Sequence, residues 1–276
     1  MSRVATGSLM AVVGLLGLGS CAELGVPAES FADDTAITTK ITSIRLDSGA
    51  GSVRVHRGTA TSVHREVHYS GNRPGGTSRV DGEQLVLEAC RVRHCEADYD
   101  VIVPDRVKVV GQTESGAVTV DAGVAGDVDV TAASGALTIT DVPGPVAARS
   151  DSGKITLASI GGAVTVQTGS AAVSLDKVAG AVSAKVDSGG VTGAGIGGDC
   201  DVQVGSGTVA LSLLNPRSVR AVTDSGDIDL TVPNAAYQVT AANDGGPVTT
   251  GVPNTTGAPR KLDARAGAGG IKITTT

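Results

Sequence analysis

The chain has 276 residues, 41% hydrophobic and 18% charged, with a formal charge of -6 at pH 7, enough for one or two domains. There is no Trp, one Phe (Phe31) and three Tyr (Tyr69, Tyr99, Tyr237) against 39 Gly, so a wide core is excluded and thin layers of Val, Ala, Ile and Leu must pack close together. A mildly acidic surface without a basic stripe or aromatic stacking platforms argues against a nucleic-acid partner.

Residues 1–20 read as an export signal: Arg3 in a short basic start, an apolar run over 9–16, then Leu18-Gly19-Ser20 before Cys21. The run is too short to cross a bilayer core of about 30 Å as a helix, and its flanks fit cleavage. Leu-Gly-Ser-Cys resembles the lipobox of bacterial lipoproteins. That resemblance implies cleavage before Cys21 and acylation of Cys21, which would anchor the protein on the extracellular face of the cell membrane. The alternative is an ordinary secretory signal with an incidental Cys. Residues 21–35, broken by Pro27, Asp33 and Asp34, are expected to be a tether.

Residues 36–105 show weaker periodicity. Leu46-Asp47-Ser48-Gly49 followed by Val53-Arg54-Val55 makes a plausible first repeat, and strands are expected near 62–69, 84–88 and 99–103. This region is expected to be an amino-terminal β cap over the open end of the more regular stretch beginning at residue 106. His64, Glu66 and His68 would share one strand face opposite Val63, Arg65, Val67 and Tyr69. On a strand the two His stand about 13.6 Å apart, too far for one zinc ion, so no metal is expected. Cys90 and Cys95 meet neither a redox Cys-x-x-Cys pattern nor a zinc spacing. In an exported protein they are expected to form a disulfide across a turn, two free thiols being the alternative.

From residue 106 to 276 a Ser-Gly pair followed by alternating apolar residues returns about every eighteen positions, at Ser115, Ser134, Ser152, Ser188, Ser206 and Ser225, with a degenerate copy at Gly169-Ser170. A fixed period of this length means stacked supersecondary units that bury one another's apolar faces. Apolar residues fall three, five and eight places after each Ser, as in Ile155, Leu157 and Ile160, and six and four places before it, as in Val146 and Ala148. Each unit thus holds two short strands, and the reading is an all-β β-solenoid with corners at Ser-Gly and at Gly161-Gly162 or Gly197-Gly198. The corner glycines are expected to serve turns with positive φ. Cys200 falls in a column otherwise filled by valines at 109, 128, 146, 164, 182 and 219, so it should be buried and inert. Ile271-Lys272-Ile273 reads as the last strand, with Lys272 guarding its edge.

The residue before each Ser alternates between acid and small: Glu114, Ala133, Asp151, Gly169, Asp187, Gly205, Asp224. If each unit is one coil, the acids lie on every second coil, about 9.6 Å apart. If two units make one coil, Glu114, Asp151, Asp187 and Asp224 form a contiguous acidic edge able to bind a cation. The eighteen-residue coil is favoured. Glycan-active solenoids also carry paired carboxylates, but no nucleophile elbow, phosphate loop or His-Glu-x-x-His is present, and neither a catalytic residue nor a cofactor is expected.

The Thr/Asp-Ser-Gly-x-Val-x-Val repeats, the stretch from Leu85-Val86-Leu87-Glu88-Ala89-Cys90 to Cys95, and Tyr99-Asp100-Val101-Ile102-Val103-Pro104 together resemble the bacterial family of β-strand-repeat putative adhesins, a domain of unknown function. The resemblance spans most of the chain after Cys21. It implies an exported surface β-solenoid with no assigned catalytic residue, and fold does not fix function. Three roles stand as expectations. The first is a non-catalytic, lipid-anchored surface protein binding an envelope polymer or protein. The others are an envelope-stress regulatory module docked on a membrane signalling partner, and a glycan-active enzyme.

Overall fold

The computed structural model describes residues 28–276, which form 25 β-strands. The amino-terminal part holds β1 (Ala28–Ile37), β2 (Ser43–Ser48), β3 (Val53–Arg57), β4 (Thr61–Ser70), β5 (Ser78–Asp81), β6 (Gln84–Glu88) and β7 (Cys95–Val103). The regular middle begins with β8 (Val107–Thr113), β9 (Val118–Val120), β10 (Ala125–Ala132), β11 (Leu137–Val142), β12 (Val146–Ser150), β13 (Ile155–Ile160) and β14 (Val164–Thr168). It continues through β15 (Val173–Val178), β16 (Val182–Ser188), β17 (Val191–Ile196), β18 (Cys200–Ser206), β19 (Val209–Leu213), β20 (Val219–Ser225) and β21 (Ile228–Val232). The chain finishes with β22 (Tyr237–Asn243), β23 (Val248–Thr250), β24 (Arg260–Ala268) and β25 (Ile271–Thr275).

From β8 to β21 the strands alternate between two sheets, each strand parallel to its equivalents one repeat away. Val128 pairs with Val146, Val146 with Val164, Val164 with Val182, Val182 with Cys200 and Cys200 with Val219. One unit of about eighteen residues is therefore one coil, with one strand in each sheet. The protein is an all-β solenoid of this repeat. Its core is one continuous cluster from Ile41 to Ile273, built almost wholly from Val, Ile, Leu and Ala.

The third inward residue of β11, β13, β15 and β17 breaks the period of two, and the backbone explains how. Leu157 and Ile160 are both buried although two residues separate them. The residue before Ile160, Ser159, has φ 57°; its equivalents Asp141 and Lys177 have 54° and 53°, and Gly195 has 66°. One left-handed residue in each of these four strands bends it so that the next side chain returns to the core.

The corner glycines require a correction. Gly189, Gly207 and Gly226 have positive φ, whereas Gly116, Gly135 and Gly153 in the same column do not. What the column shares is close approach: a Cβ on Gly135 would lie on the Gly116 carbonyl oxygen, one on Gly153 on that of Gly135, and one on Gly207 on that of Gly189. Glycine is there because the next coil's backbone occupies the side chain's place.

Both ends depart from sequential stacking. In space the coils run β6–β7, then β2–β3, then β8–β9, so the first coil made by the chain lies inside the second. Along 36–105 the antiparallel strands β4 and β5 flank these two coils. At the other end β24–β25 lies between β20–β21 and β22–β23. The expectation for Lys272 is overturned: β25 pairs with β21 on one side and β23 on the other, Lys272 facing Asp229 and Thr249, and β23 is the edge.

The expected tether is also shortened. Residues 28–35 belong to β1, which runs antiparallel along all of β4. Polar contacts hold it there. Arg65, 7% exposed, is bonded to the carboxylate of Asp33 and donates to the Gly75 carbonyl and to Thr77 Oγ1, each at 3.0 Å. The Arg73 guanidinium lies 4.0 Å from the Phe31 ring centre, and Tyr69 donates to Glu29 at 2.8 Å. Buried charge survives here because each of the three guanidinium nitrogens of Arg65 finds an acceptor.

Candidate functional site

Cys21 lies outside the described residues. Cys90 and Cys95 are joined by a disulfide with Cα atoms 5.7 Å apart, linking the end of β6 to the start of β7. Cys200 is 4% exposed; burial, with Asp199 adding to it, pushes its thiol up to about 12. His64, Glu66 and His68 lie on the exposed face of β4, while Val63, Arg65, Val67 and Tyr69 are buried. His64 Nδ1 meets Asp34 at 2.8 Å and His68 meets Glu66 at 3.4 Å. Among the described residues no three or more His, Cys, Asp or Glu side chains are grouped as metal ligands would be.

The acidic column lies at the corner where the even-numbered strands end. The eighteen-residue coil puts Glu114, Asp151, Asp187 and Asp224 on alternate coils, with Ala133, Gly169 and Gly205 between them. Its backbone is stacked tightly: Ser134 N–H donates to the Glu114 carbonyl at 2.8 Å, and Ser170 N–H to the Asp151 carbonyl at 2.7 Å. No contiguous ladder of carboxylates forms. The small residues leave notches instead.

One notch, of about 370 Å³, opens over Gly169 between Asp151 and Asp187. Arg149 and Lys185, two residues before these acids, stand beside it with Gln167 between them. Arg149 is paired with Asp129 at 2.8 Å. A second notch, of about 280 Å³, opens over Ala133 between Glu114 and Asp151 and includes Gln112 and Thr131. Two buried hydroxyls have no hydrogen-bond partner among the described residues, Thr168 Oγ1 and Ser48 Oγ. Thr168 lines the first notch and Ser48 the second. The corresponding Ser150 hydroxyl, by contrast, accepts the Gly153 N–H at 2.8 Å.

The acids stand out in the sequence by their alternation, whereas their neighbours escape notice there. A signal for them exists: Gln112-x-Glu114, Arg149-x-Asp151 and Lys185-x-Asp187 place a long donor-bearing side chain two residues before three of the four acids, on the same strand face, whereas Val222 precedes Asp224. The outer face of the other sheet is chemically different. Thr119, Thr138, Thr156, Ser174 and Thr192 are consecutive neighbours in register there. A further groove of about 640 Å³ lies at the opposite corner of the twelve-stranded sheet, over small residues such as Ala163 and Ala181 and beside the Asp201–Arg220 pair.

The family model described as Toastrack DUF4097 matches residues 107–261, more than half of the chain. The chain belongs to the Toastrack DUF4097 family. The match begins at β8 and covers the whole regular stack with its notched corner. No curated protein matches the sequence. Among solved structures it is similar to a "putative cell adhesion protein" from Clostridium sporogenes, at 12% identity and a TM-score of 0.22 over 90% of this chain and 100% of that one. It is also similar to a "putative adhesin" from Parabacteroides merdae, at 11% identity and 0.36 over 90% and 96%. Another, from Bacteroides fragilis, gives 12% identity and 0.30 over 89% and 97%. With each of these TM-scores below 0.5, the likenesses carry no weight for the Toastrack chain's residues or role.

Proposed function

We propose that this protein is a non-catalytic, lipid-anchored solenoid of the cell surface that presents a repetitive edge to an envelope polymer or protein. The observation that carries the reading is the repetition itself. Eleven coils in one continuous core make a rod about 50 Å long, and an acid recurs at one corner on every second coil from Glu114 to Asp224. A rod of one repeated unit suits a partner that also repeats, because each further coil adds contact without new structure.

In this reading residues 1–20 are a signal removed on export and Cys21 carries the acyl chains. Residues 21–27 then form a tether reaching at most about 25 Å, since β1 begins at Ala28. A chain of that length would hold the amino-terminal coils close to the membrane. Retention of the purified protein on envelope fractions tests the binding role: specific retention is expected, and none on any fraction would contradict it. Cys21→Ala should move the protein from the membrane fraction to the soluble one; unchanged detergent partitioning would refute the anchor.

A further inference from the structure

We propose that the carboxyl-terminal end of the solenoid pairs with the same end of a second copy, joining two rods tail to tail. This goes beyond the envelope-binding reading and does not depend on it. The two sheets stop at β22 and β23, and the coil these strands form is unfinished. Val248 stands in register with Ile271 and, through it, with Ile228. Those two are 2% and 0% exposed, whereas Val248 is 44% exposed. Thr250 is exposed in the next inward column, where Leu230 and Ile273 are buried. In the other sheet Val239 and Ala241 are half-buried beside the fully buried Leu262 and Ala264. A further coil would cover all four side chains, and among the described residues none does.

The backbone is left open as well. In a parallel strand alternate residues turn both N–H and C=O to the same side. Ile271 N–H donates to the Pro247 carbonyl, and Gly251 N–H to the Ile273 carbonyl. Val248 and Thr250 therefore turn their backbone groups to the free edge of β23. On β22 the loop after β23 covers the first part of the edge: Thr255 N–H donates to the Tyr237 carbonyl at 2.7 Å, and Val239 N–H to Asn254 Oδ1 at 3.0 Å. By the same alternation Ala241 and Asn243 present theirs to the edge beyond that loop.

Charge and geometry select the occupant. Sheet edges are normally guarded by charged side chains, and the head of the rod follows that rule. Its free edges are β1, with Glu29, Asp33 and Asp34, and β5, with Arg79 and Asp81. β22 and β23 hold no charged residue, and the corner between them has only Asp244. An added peptide strand could complete one of these edges but not both, because the sheets lie about 10 Å apart across the core. What completes both at once is a pair of uncharged edge strands at that same separation, and the tail of a second copy is such a pair. The head of another copy would bring the charges of β1 and β5, and head-to-tail stacking would run on into an open filament. A two-fold axis perpendicular to the stack closes the pair and leaves neither tail free. The open face is small: Ala241 to Asn243 and Val248 to Thr250, against about 20–30 residues a side in a stable complex. Association is therefore weak in solution and favoured where copies are crowded on a surface.

The test is sedimentation equilibrium of the full chain from about 10 µM to about 1 mM, in density-matched detergent in excess so that each micelle holds one copy. A dimer that grows with concentration is expected. Val248→Lys sets like charges at the joint and should weaken the dimer about tenfold or more. Its thermal midpoint should stay within a few degrees, the replaced side chain being 44% exposed. Val80→Lys, at a 39% exposed position of β5 at the head, should leave the dimer unchanged. Spin labels fix the geometry. A label on Thr249→Cys, in register with the outward Lys272, should give a copy-to-copy distance under about 30 Å. One on Leu214→Cys, 68% exposed and three coil steps from the end, should give an axial separation of seven steps, about 34 Å. A monomer at every concentration, a dimer indifferent to Val248→Lys, or a dimer without the short Thr249 distance would overturn the proposal. Retention on envelope fractions is read separately, so either result stands without the other.

Discussion

Gly153→Ala probes the reason for the glycine column. The new Cβ would lie on the Gly135 carbonyl oxygen, with the Gly135 carbonyl carbon and the Ser134 oxygen also too close. All three are backbone atoms of the neighbouring coil, so no side chain can swing aside and the two coils must part. Parting them strains the Asp151 N–H bond (3.1 Å) and the Ser152 N–H bond (3.0 Å) to the Ala133 carbonyl of the neighbouring coil, at about 1 kcal/mol each. Overpacking adds about 1–3 kcal/mol, and the lower entropy of the unfolded Ala chain returns about 0.4–1 kcal/mol. The net expected loss is about 2–5 kcal/mol, read from urea denaturation followed by far-ultraviolet circular dichroism. Gly76→Ala is the control, since a Cβ there meets nothing within 4 Å; it should change stability by less than about 0.5 kcal/mol. Because Gly153 does not have positive φ, an explanation from turn conformation alone predicts that Ala is tolerated. A Gly153→Ala loss below about 0.5 kcal/mol would refute the crowding argument.

Other positions give independent checks. Lys177 has φ 53° in a column where Gly195 also occurs, so Lys177→Gly should raise the unfolding free energy by up to about 1 kcal/mol; a loss would show that the Lys side chain matters more than its strain. The Cys200 thiol, buried and pushed up to about 12, should resist iodoacetamide at pH 8 in the folded protein and react on unfolding; rapid modification of folded protein would contradict its placement. The hydrogen bond to Asp34 raises the His64 pKa above 6.5, so its hold on β1 is complete below the unfolded value and fades as pH rises through the folded one. Proton exchange of the β1 amides, corrected for intrinsic rates, should therefore quicken over that window, and Asp34→Asn should abolish the effect. A His64 titrating at or below 6.5 by NMR would show that the bond does not form.

Much of the stack is readable because each coil repeats the same local requirement. The valine column identifies Cys200 as a core residue, and alternation places Val63, Val67 and Tyr69 inward on β4 opposite His64 and His68. What escapes the sequence has physical causes. β1 has little apolar alternation because most of its residues are exposed, and what holds it is Asp33 on Arg65 and Phe31 under Arg73. Hydrophobic periodicity is blind to such contacts. The exchanged order of coils at both ends is a long-range choice between equivalent edges, so Lys272 in a central strand reads the same as Lys272 on an edge. A corner glycine looks identical whether it serves positive φ or a neighbour's carbonyl, and only the stacked backbone separates the two. At the candidate site the acids stand out by their alternation, while Arg149 and Lys185 are masked by Gln112 and Val222 in the same column.

The central claim is that one repeat of about eighteen residues is one coil, which sets both the stack and the spacing of the notches. Spin labels on Glu114→Cys and Asp224→Cys test it by pulsed dipolar distance measurement, since these exposed positions end the acidic column. Six coil steps predict a separation of about 29 Å between label-bearing backbones. A separation of about 14 Å, three steps, would mean that two repeats make each coil and that the acids form a contiguous ladder, contradicting the account.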